Sequence, residues 1–364
     1  MGVLVCGAVF AEEWPMERGG PSSSGLAASA LADDLHVLWK YSVDDAAFEA
    51  TPVVNGDTLY VGDDHGTFHA LEIKSGDPVW TRPLEDTGFL CGAAVTSTAL
   101  FAGDYDGTFW CLARNDGTVQ WSVALEAECY AGPILHNGAV LVTNEAGVLT
   151  SLRQSDGAEN WKYEIEAPLR CAPTVVAGRA LLAGCDQKLH MVNAESGTAV
   201  GTLEIDSQTG STPAALGGRV FFGTEAGTLY AIDVDQPEPA VAWTYRDPLR
   251  GQSIRCAAAV DERLVVYGSH GKSVYALDPQ TGERKWDFAT KSRVEAGPVI
   301  AGDRVVVATA KGRLYLLDVA DGSEVGQYDA GGGFLASQCV VDGRVLIGNT
   351  DGTLYCFGDR EHVE

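Results

Sequence analysis

Three kinds of feature are scarce in this sequence, and each scarcity argues against a class of protein. None of the nine cysteines is adjacent to another and no two have Cys-x-x-Cys spacing, which argues against a zinc site, a c-type haem attachment and a thioredoxin-like motif. Long stretches of helical periodicity are missing, so we expect almost no helix. Beyond the first eleven residues, no segment approaches the roughly 20 apolar residues that a membrane-spanning helix needs.

Basic residues are also few. The chain has 25 Lys and Arg against 50 Asp and Glu, which gives a net charge of -25. Such a surface repels phosphate backbones, so we expect no nucleic-acid partner, and anionic membrane surfaces are disfavoured for the same reason. We interpret the acidic surface as a solubility feature, with an acidic patch that recognises a basic partner as the alternative.

The first eleven residues form a short apolar run that ends in Ala8-Val9-Phe10-Ala11, a small-x-small pattern before Glu12. The run is typical of the end of a signal peptide whose basic n-region is missing, and it predicts an exported, periplasmic or cell-envelope protein. The alternative is a disordered N-terminus. We therefore assign residues 1–11 to a truncated signal peptide, 12–34 to a flexible lead segment and 359–364 to a C-terminal tail.

Glycine is abundant, at 43 residues, and it belongs to an internal repeat with a period of about 41 residues. Tryptophans that follow a turn mark six repeats, at Trp39, Trp80, Trp121, Trp161, Trp243 and Trp286. Gly201 and Gly326 occupy the two positions where the same spacing lacks a tryptophan. The sequence therefore contains eight structural anchors at regular spacing.

Each repeat has the pattern of four short strands. In the first repeat, Val53-Val54 leads into the turn Asn55-Gly56-Asp57, and further turn residues separate the next strands. A four-strand unit of this length predicts an all-β, eight-bladed β-propeller over residues 35–358. Because Trp39 precedes any complete repeat and the last repeat has no following tryptophan, we expect the N-terminal strand to complete blade 8, which leaves no open strand edge.

The segment 273–286 carries a family resemblance. Ala276, Asp278, Thr281, Gly282 and Trp286 match, position by position, the pattern Ala-x-Asp-x-x-Thr-Gly-x-x-x-Trp. This motif resembles the tryptophan-docking motif of the pyrroloquinoline-quinone (PQQ) repeat family. The resemblance covers about residues 37–358.

Two eight-bladed groups share this repeat: the quinoprotein alcohol dehydrogenases and the BamB-type scaffold proteins of outer-membrane assembly. The dehydrogenases carry long insertions, a calcium ion and an adjacent Cys-Cys pair, whereas this chain is compact and has no adjacent cysteines. The resemblance therefore implies a BamB-like scaffold without catalytic residues, cofactor or metal. A PQQ-dependent oxidoreductase and a small-ligand-binding or sensor propeller remain the alternatives, since a propeller ring hosts many functions.

One set of repeat positions is expected to face the channel. Strand alternation places these residues opposite a buried apolar series that includes Phe48 and Ile254. The set consists of Glu49, Leu90, Tyr130, Arg170, Gly210, Arg255, Glu295 and Leu335. We expect either a water-filled channel wall or a site where Arg170 and Arg255 form a positive spot that grips a small anionic ligand or a partner's carboxylate tail.

Other conspicuous residues are interpreted as packing. Cys91, Cys171 and Cys256 stand where the other repeats have Ala or Ser, so each is expected to act as a small hydrophobic residue. His69 and His190 replace aromatic residues and are expected to pack with one polar contact each. We therefore expect a monomer that binds protein partners through its rim loops, with peripheral membrane association through a partner.

Overall fold

The computed structural model describes residues 12–84 and 87–360, so the predicted signal peptide lies outside the described residues. Within these ranges the regular structure consists of 33 β-strands and contains no α-helix. The strands form eight blades around a central channel, which confirms the predicted all-β propeller.

The lead segment contains β1 (Leu26–Ala27), and the first strand of the ring is β2 (His36–Ser42). Blade 1 consists of β3 (Val53–Asn55), β4 (Thr58–Gly62), β5 (Thr67–Glu72) and β6 (Pro78–Pro83). Blade 2 consists of β7 (Ala94–Val95), β8 (Ala99–Gly103), β9 (Thr108–Ala113) and β10 (Val119–Ala124). Blade 3 consists of β11 (Ile134–His136), β12 (Ala139–Thr143), β13 (Val148–Arg153) and β14 (Glu159–Glu164). Blade 4 consists of β15 (Thr174–Val176), β16 (Arg179–Ala183), β17 (Lys188–Asn193) and β18 (Ala199–Glu204).

Blade 5 consists of β19 (Ala214–Leu216), β20 (Arg219–Gly223), β21 (Leu229–Asp233) and β22 (Ala240–Tyr245). Blade 6 consists of β23 (Ala259–Val260), β24 (Val265–Ser269), β25 (Ser273–Leu277) and β26 (Arg284–Ala289). Blade 7 consists of β27 (Val299–Ala301), β28 (Arg304–Ala308), β29 (Arg313–Asp318) and β30 (Glu324–Asp329). Blade 8 consists of β31 (Cys339–Val341), β32 (Arg344–Gly348), β33 (Thr353–Gly358) and β2.

The ring closes as predicted. β2 pairs antiparallel with β33, with Trp39 opposite Cys356 and Lys40 opposite Tyr355. The innermost strand of blade 8, β31, contacts β3 of blade 1. One blade is therefore made from both ends of the propeller sequence, which leaves no unpaired strand at the junction.

The tryptophan anchors tie six of the eight blades to the next one. The Trp121 indole of blade 2 lies on the turn of blade 3, where a Cβ on Gly157 would be 2.6 Å from the ring and φ is +71°. Only glycine fits such a turn without strain or a clash. Five anchors also donate an indole N–H to a carbonyl of the following blade: Trp39 to Ile73, Trp80 to Arg114, Trp121 to Gln154, Trp243 to Pro279 and Trp286 to Val319.

Anchor size is balanced by the residue directly opposite on the neighbouring strand. The six tryptophans face small residues, namely Cys356, Ala70, Cys111, Ser151, Ala231 and Ala276. By contrast, Gly201 faces Met191 and Gly326 faces Leu316. A larger cross-strand side chain thus fills part of the space that the missing indole leaves, because a core tolerates changes that conserve volume.

The lead segment differs from the flexible tether that the sequence predicts. It crosses one end of the channel and contacts all eight blades. Backbone amides of six blades donate to its carbonyls: Val54 to Trp14, Val95 to Pro15, Val175 to Pro21, Ala215 to Ser22, Val260 to Ser24 and Ile300 to Gly25. In blade 3 the Leu135 amide donates to the Met16 sulfur, and in blade 8 the Gly343 amide donates to Ser29 Oγ. The innermost strands have no further strand of the ring to pair with, and the segment satisfies these amides, in blade 7 through the parallel pairing of β1 with β27.

Two charged residues of this segment point into the channel, where Arg18 is buried and Glu17 is half-buried. Arg18 donates to the carbonyls of Gly297 (3.0 Å), Ala258 (3.1 Å) and Pro298 (2.6 Å). The Glu17 carboxylate accepts from the amide of Gly132 at 2.8 Å. Burial lowers the pKa of Arg18 to about 10 and raises the pKa of Glu17, although hydrogen bonds and the neighbouring Arg18 oppose the rise. We call residues 12–29 the plug.

Candidate functional site

The end of the channel opposite the plug is open. The residue set identified from the sequence lies there, in the connections that lead into the innermost strands. Its alternation is as expected, since Phe48, Phe89, Leu169, Ile254, Val294 and Phe334 are buried. The set itself is half-buried or exposed, at Glu49, Leu90, Tyr130, Arg170, Gly210, Arg255, Glu295 and Leu335. We call this set the inner ring. Its side chains border the open mouth rather than the interior of the channel.

A second, outer ring comes from the turn between the second and third strands of each blade. The amide of one turn residue per blade donates to a carbonyl in the connection that enters the same blade from the preceding one, which holds turn and connection together. The turn residues are Asp64, Tyr105, Glu145, Cys185, Glu225, His270, Ala310 and Thr350. The mouth is therefore built entirely from loops on a rigid scaffold, the arrangement in which binding residues are usually found.

Ion pairs join the two rings. Arg170 of the inner ring makes a bidentate contact with Glu145, and Arg255 lies 2.8 Å from Glu225. Glu295 is 2.9 Å from His270. In each case the residues come from consecutive blades, so each pair spans a blade junction.

These pairs correct the expectation of a convergent positive spot. Arg170 and Arg255 both line one cavity of about 480 Å³, together with Gly210, Glu295 and Leu335. Each guanidinium is already neutralised by its own glutamate, and Arg293 likewise pairs with Glu295 at 2.8 Å. An anionic ligand would have to displace a carboxylate that is held at short range.

Two inner-ring residues have other surroundings. Glu49 does not border this cavity, and burial together with the nearby charge of Asp64 raises the pKa of its carboxyl. Tyr130 does border it and packs edge-on against Tyr105, with ring centroids 6.1 Å apart. Both tyrosines are exposed, Tyr130 at 39% and Tyr105 at 45%, so the mouth presents an aromatic pair to solvent.

The cysteines and histidines occupy packing positions. Cys91, Cys171 and Cys256 are buried and unpaired, and burial raises the pKa of the Cys171 thiol to about 12. Such thiols are poor nucleophiles because they stay protonated. Cys185 is the exception in being half-buried, and its thiol lines the mouth cavity.

Each of two histidines makes two polar contacts, where the sequence suggests one. His69 lies 2.9 Å from Asp63 and 3.1 Å from the Tyr41 hydroxyl. His190 repeats the arrangement with Asp186 and Tyr163, both at 2.9 Å. Tyrosine and histidine come from neighbouring blades, so these buried triads connect blades 8 to 1 and 3 to 4.

Sequence reasoning identified the inner ring and missed the plug and its charged residues Glu17 and Arg18. The apolar residues Trp14, Met16 and Leu31 in the lead segment were the available signal, since a free tether rarely carries large apolar side chains. Within residues 12–84 and 87–360, no cluster of His, Cys, Asp or Glu could hold a metal ion. The same ranges contain no helix long and apolar enough to cross a membrane.

Comparison with known families covers nearly the whole propeller. Three overlapping segments, residues 27–170, 111–236 and 147–361, match the family of the outer membrane protein assembly factor BamB. BamB of Xanthomonas campestris pv. campestris is 37% identical over 100 residues, which are 27% of this chain and 25% of that protein. BamB of Burkholderia pseudomallei is 34% identical over 110 residues, 30% of this chain and 29% of that protein. Each alignment thus spans less than a third of the relative's length.

Solved structures share the fold. BamB from Moraxella catarrhalis superposes with a TM-score of 0.77 at 19% identity, over 90% of this chain and 99% of that one. Quinohemoprotein alcohol dehydrogenase from Comamonas testosteroni superposes with a TM-score of 0.81 at 15% identity, over 97% of this chain and 81% of that one. At these identities, both likenesses concern the architecture alone, which an assembly factor and an oxidoreductase have in common.

Proposed function

Because this chain belongs to the family of the outer membrane protein assembly factor BamB, we propose that it is a non-catalytic scaffold that binds protein partners through the open mouth of its propeller. The proposal includes export to the cell envelope, a monomeric ring, and membrane association only through a partner. BamB proteins are named for outer-membrane protein assembly, and a rigid ring with exposed loops suits such a role.

The contrast between the two channel ends supports this proposal most directly. The plug uses the amides at one end, so little of that end is free for recognition. At the other end two rings of loop residues surround a cavity of about 480 Å³, and the aromatic pair Tyr105 and Tyr130 is exposed beside it. Exposed tyrosines beside charged residues are characteristic of protein-binding surfaces, since they supply large contact area at low entropic cost.

Side chains at the mouth define the test. A triple variant, Tyr130→Ala with Arg170→Ala and Arg255→Ala, removes aromatic area and two guanidinium groups while leaving the buried series intact. We expect it to lose the cross-linked partners that the parent chain retains after affinity purification from native cells. Stability is expected to change little, because these side chains are exposed and their ion pairs are weak.

A matched control lies on the opposite face. Arg153 is ion-paired with Asp156 and its side chain is 54% exposed, close to the 55% of Arg170. Arg153→Ala should therefore keep every partner. If both variants retain the same partners, the open mouth is not the binding surface, and the proposal fails.

The oxidoreductase alternative has its own test. The fold resembles that of a quinohemoprotein alcohol dehydrogenase, so equilibrium dialysis with PQQ and calcium, followed by absorbance, measures directly whether the chain takes up the quinone. We expect no stoichiometric complex. A tight one-to-one complex with alcohol-dependent dye reduction would replace the scaffold proposal with an enzymatic one.

A further inference from the structure

The connection from blade 5 to blade 6 is longer than the others. It spans residues 246–258, whereas the connection from blade 6 to blade 7 spans residues 290–298 and that from blade 3 to blade 4 spans residues 165–173. The extra residues lie on the open-mouth face, just before Arg255 of the inner ring. An insertion at one of eight otherwise similar positions is a natural place for a specific function.

This insertion presents an apolar side chain to solvent. Leu249 is 92% exposed, more than any other large hydrophobic residue in the described part of the chain. A single exposed leucine is ordinary on a protein surface, but here hydrogen bonds fix the loop backbone that carries it. The buried Asp247 accepts hydrogen bonds from the amides of Leu249 (2.9 Å) and Arg250 (2.6 Å), and its other oxygen contacts Arg284.

Arg250 fixes the far side of the loop, because its guanidinium donates to Ser273 Oγ of blade 6 at 3.2 Å. The loop is thus bound at both ends to the propeller, and Leu249 stands at its tip. Fixing the backbone that carries an exposed apolar side chain reduces the conformational entropy that is lost when a partner binds.

The surroundings of Leu249 are basic, although the protein carries a net charge of -25. The sector of the mouth face formed by blades 6 and 7 has six exposed basic residues, namely Arg246, Arg250, Lys272, Lys291, Arg293 and Lys311. Of these, Arg246, Lys272, Lys291 and Lys311 form no ion pair with any described residue. The sector across the mouth is acidic, with Asp64 and Asp106 beside Tyr105.

We propose that the loop 246–250 is a docking element, with Leu249 inserting into an apolar pocket of a protein partner whose rim carries Asp and Glu. This inference rests on the proposed function and names the partner chemistry at the same face. The basic sector selects an acidic rim by charge complementarity and steers encounter. One leucine offers too little apolar area for membrane anchoring, so a protein partner fits better than a bilayer.

Site-specific photo-cross-linking in native cells tests the inference. A benzophenone amino acid is placed at position 249, at position 130 in the inner ring, and at position 241 on the outer strand of blade 5, where Val241 is 45% exposed. We expect adducts from 249 and 130 and none from 241. Mass spectrometry of the 249 adduct should map to an apolar segment of the partner flanked by Asp or Glu.

Affinity for the protein identified in this way is then measured with purified chains. Leu249→Ser is expected to weaken binding about tenfold or more, as for an interface anchor, and Arg250→Glu to slow association. Val241→Ser is the control and should leave the affinity unchanged. Flotation with phosphatidylglycerol vesicles is run on the parent chain and on Leu249→Ser.

The outcomes distinguish failure of this inference from failure of the proposed function. Adducts from 130 without adducts from 249 would overturn the docking element and leave the open mouth as the binding surface. Absence of protein adducts at both positions would overturn both. Leucine-dependent vesicle binding, or a 249 adduct on a basic partner segment, would also overturn the inference.

Discussion

The two ends of the channel flank the same eight innermost strands, yet they have opposite character. At the plugged end, charged residues are buried and held by backbone groups, as Arg18 shows with its three carbonyl partners. At the open end, charged residues are exposed and held by one another, as in the Arg170–Glu145 pair. One end can thus serve stability and the other recognition.

This difference shows which parts of a symmetric ring vary from blade to blade. The strands repeat eight times, but the plug passes each blade only once and contacts each through a different residue. The loops at the mouth likewise vary from blade to blade, from Tyr130 to Gly210 to Glu295 at the same repeat position. Function is therefore expected in segments that do not follow the repeat.

The largest expected effect tests the plugged end. Arg18→Ala removes three hydrogen bonds of a buried guanidinium, leaves their carbonyl acceptors unpaired and takes the neighbouring cation from the half-buried Glu17 carboxylate, which should cost about 3–5 kcal/mol of unfolding free energy. Denaturant melts measure this cost. Arg170→Ala, at the open end, is the control and should cost less than about 1 kcal/mol. Similar losses for both variants would show that the two ends do not differ in this way.

Hydrogen exchange sharpens the comparison. The amides of Val175, Ala215, Val260 and Ile300 donate to the plug, and we expect them to exchange at least about tenfold more slowly than the amides of Glu145 and Glu225 at the mouth. The plug must detach from all blades before its partner amides open, whereas a single turn can open at the mouth. Mass spectrometry with peptide resolution checks the order, and equal protection would contradict a firmly bound plug.

A smaller effect is expected when the ring pairs are removed. Arg170→Ala combined with Arg255→Ala should lower the unfolding free energy by less than about 1 kcal/mol in total, because exposed ion pairs contribute little. Differential scanning fluorimetry against the parent measures it. A loss of several kcal/mol would mean that these pairs clamp the blade junctions, and the mouth would then be structural.

The smallest effect concerns His190, whose triad extends toward the mouth through Asp186. Burial lowers the pKa of His190, although Asp186 opposes the shift. A histidine with a lowered folded-state pKa binds fewer protons when folded than when unfolded, so its contribution to stability is present above the ordinary pKa of 6.5 and is lost as the pH falls through the folded value. We expect about 1 kcal/mol or less between pH 7 and pH 5.

Chemical denaturation across this pH range measures the contribution, with His190→Gln as the control. The variant curve should be flatter than that of the parent, since glutamine does not titrate. A parent and variant with parallel pH profiles would show that His190 does not titrate in this range.

Several elements were predictable because they repeat. Trp39, Trp80 and Trp121 recur with nearly constant spacing. Ten positions before Trp121 stands the small Cys111, whereas ten positions before Gly326 stands the larger Leu316. Closure of blade 8 followed from the unpaired last repeat and the early Trp39. The inner ring followed from strand alternation, which a period of two makes unambiguous.

The ion-pair partners of the inner-ring arginines were not predictable in the same way. Arg170 and Glu145 are distant in sequence, and only the packing of blade 3 against blade 4 brings them together. The sequence pattern placed both arginines at one repeat position and therefore suggested a positive spot. Their partners come from a different turn of the preceding blade, a relation that no single repeat displays.

By itself, the sequence determined the all-β class, the eight blades, the closing strand and the positions that line the mouth, because local periodicity and turn chemistry act within each repeat. Tertiary structure alone decided that residues 12–29 close one end, that Arg170 and Arg255 are neutralised, and that Leu249 stands free on a fixed loop. These features depend on contacts between residues far apart in the chain, such as Arg18 with Gly297. Only the closed ring brings such groups within hydrogen-bonding distance, and the local sequence pattern does not determine that geometry.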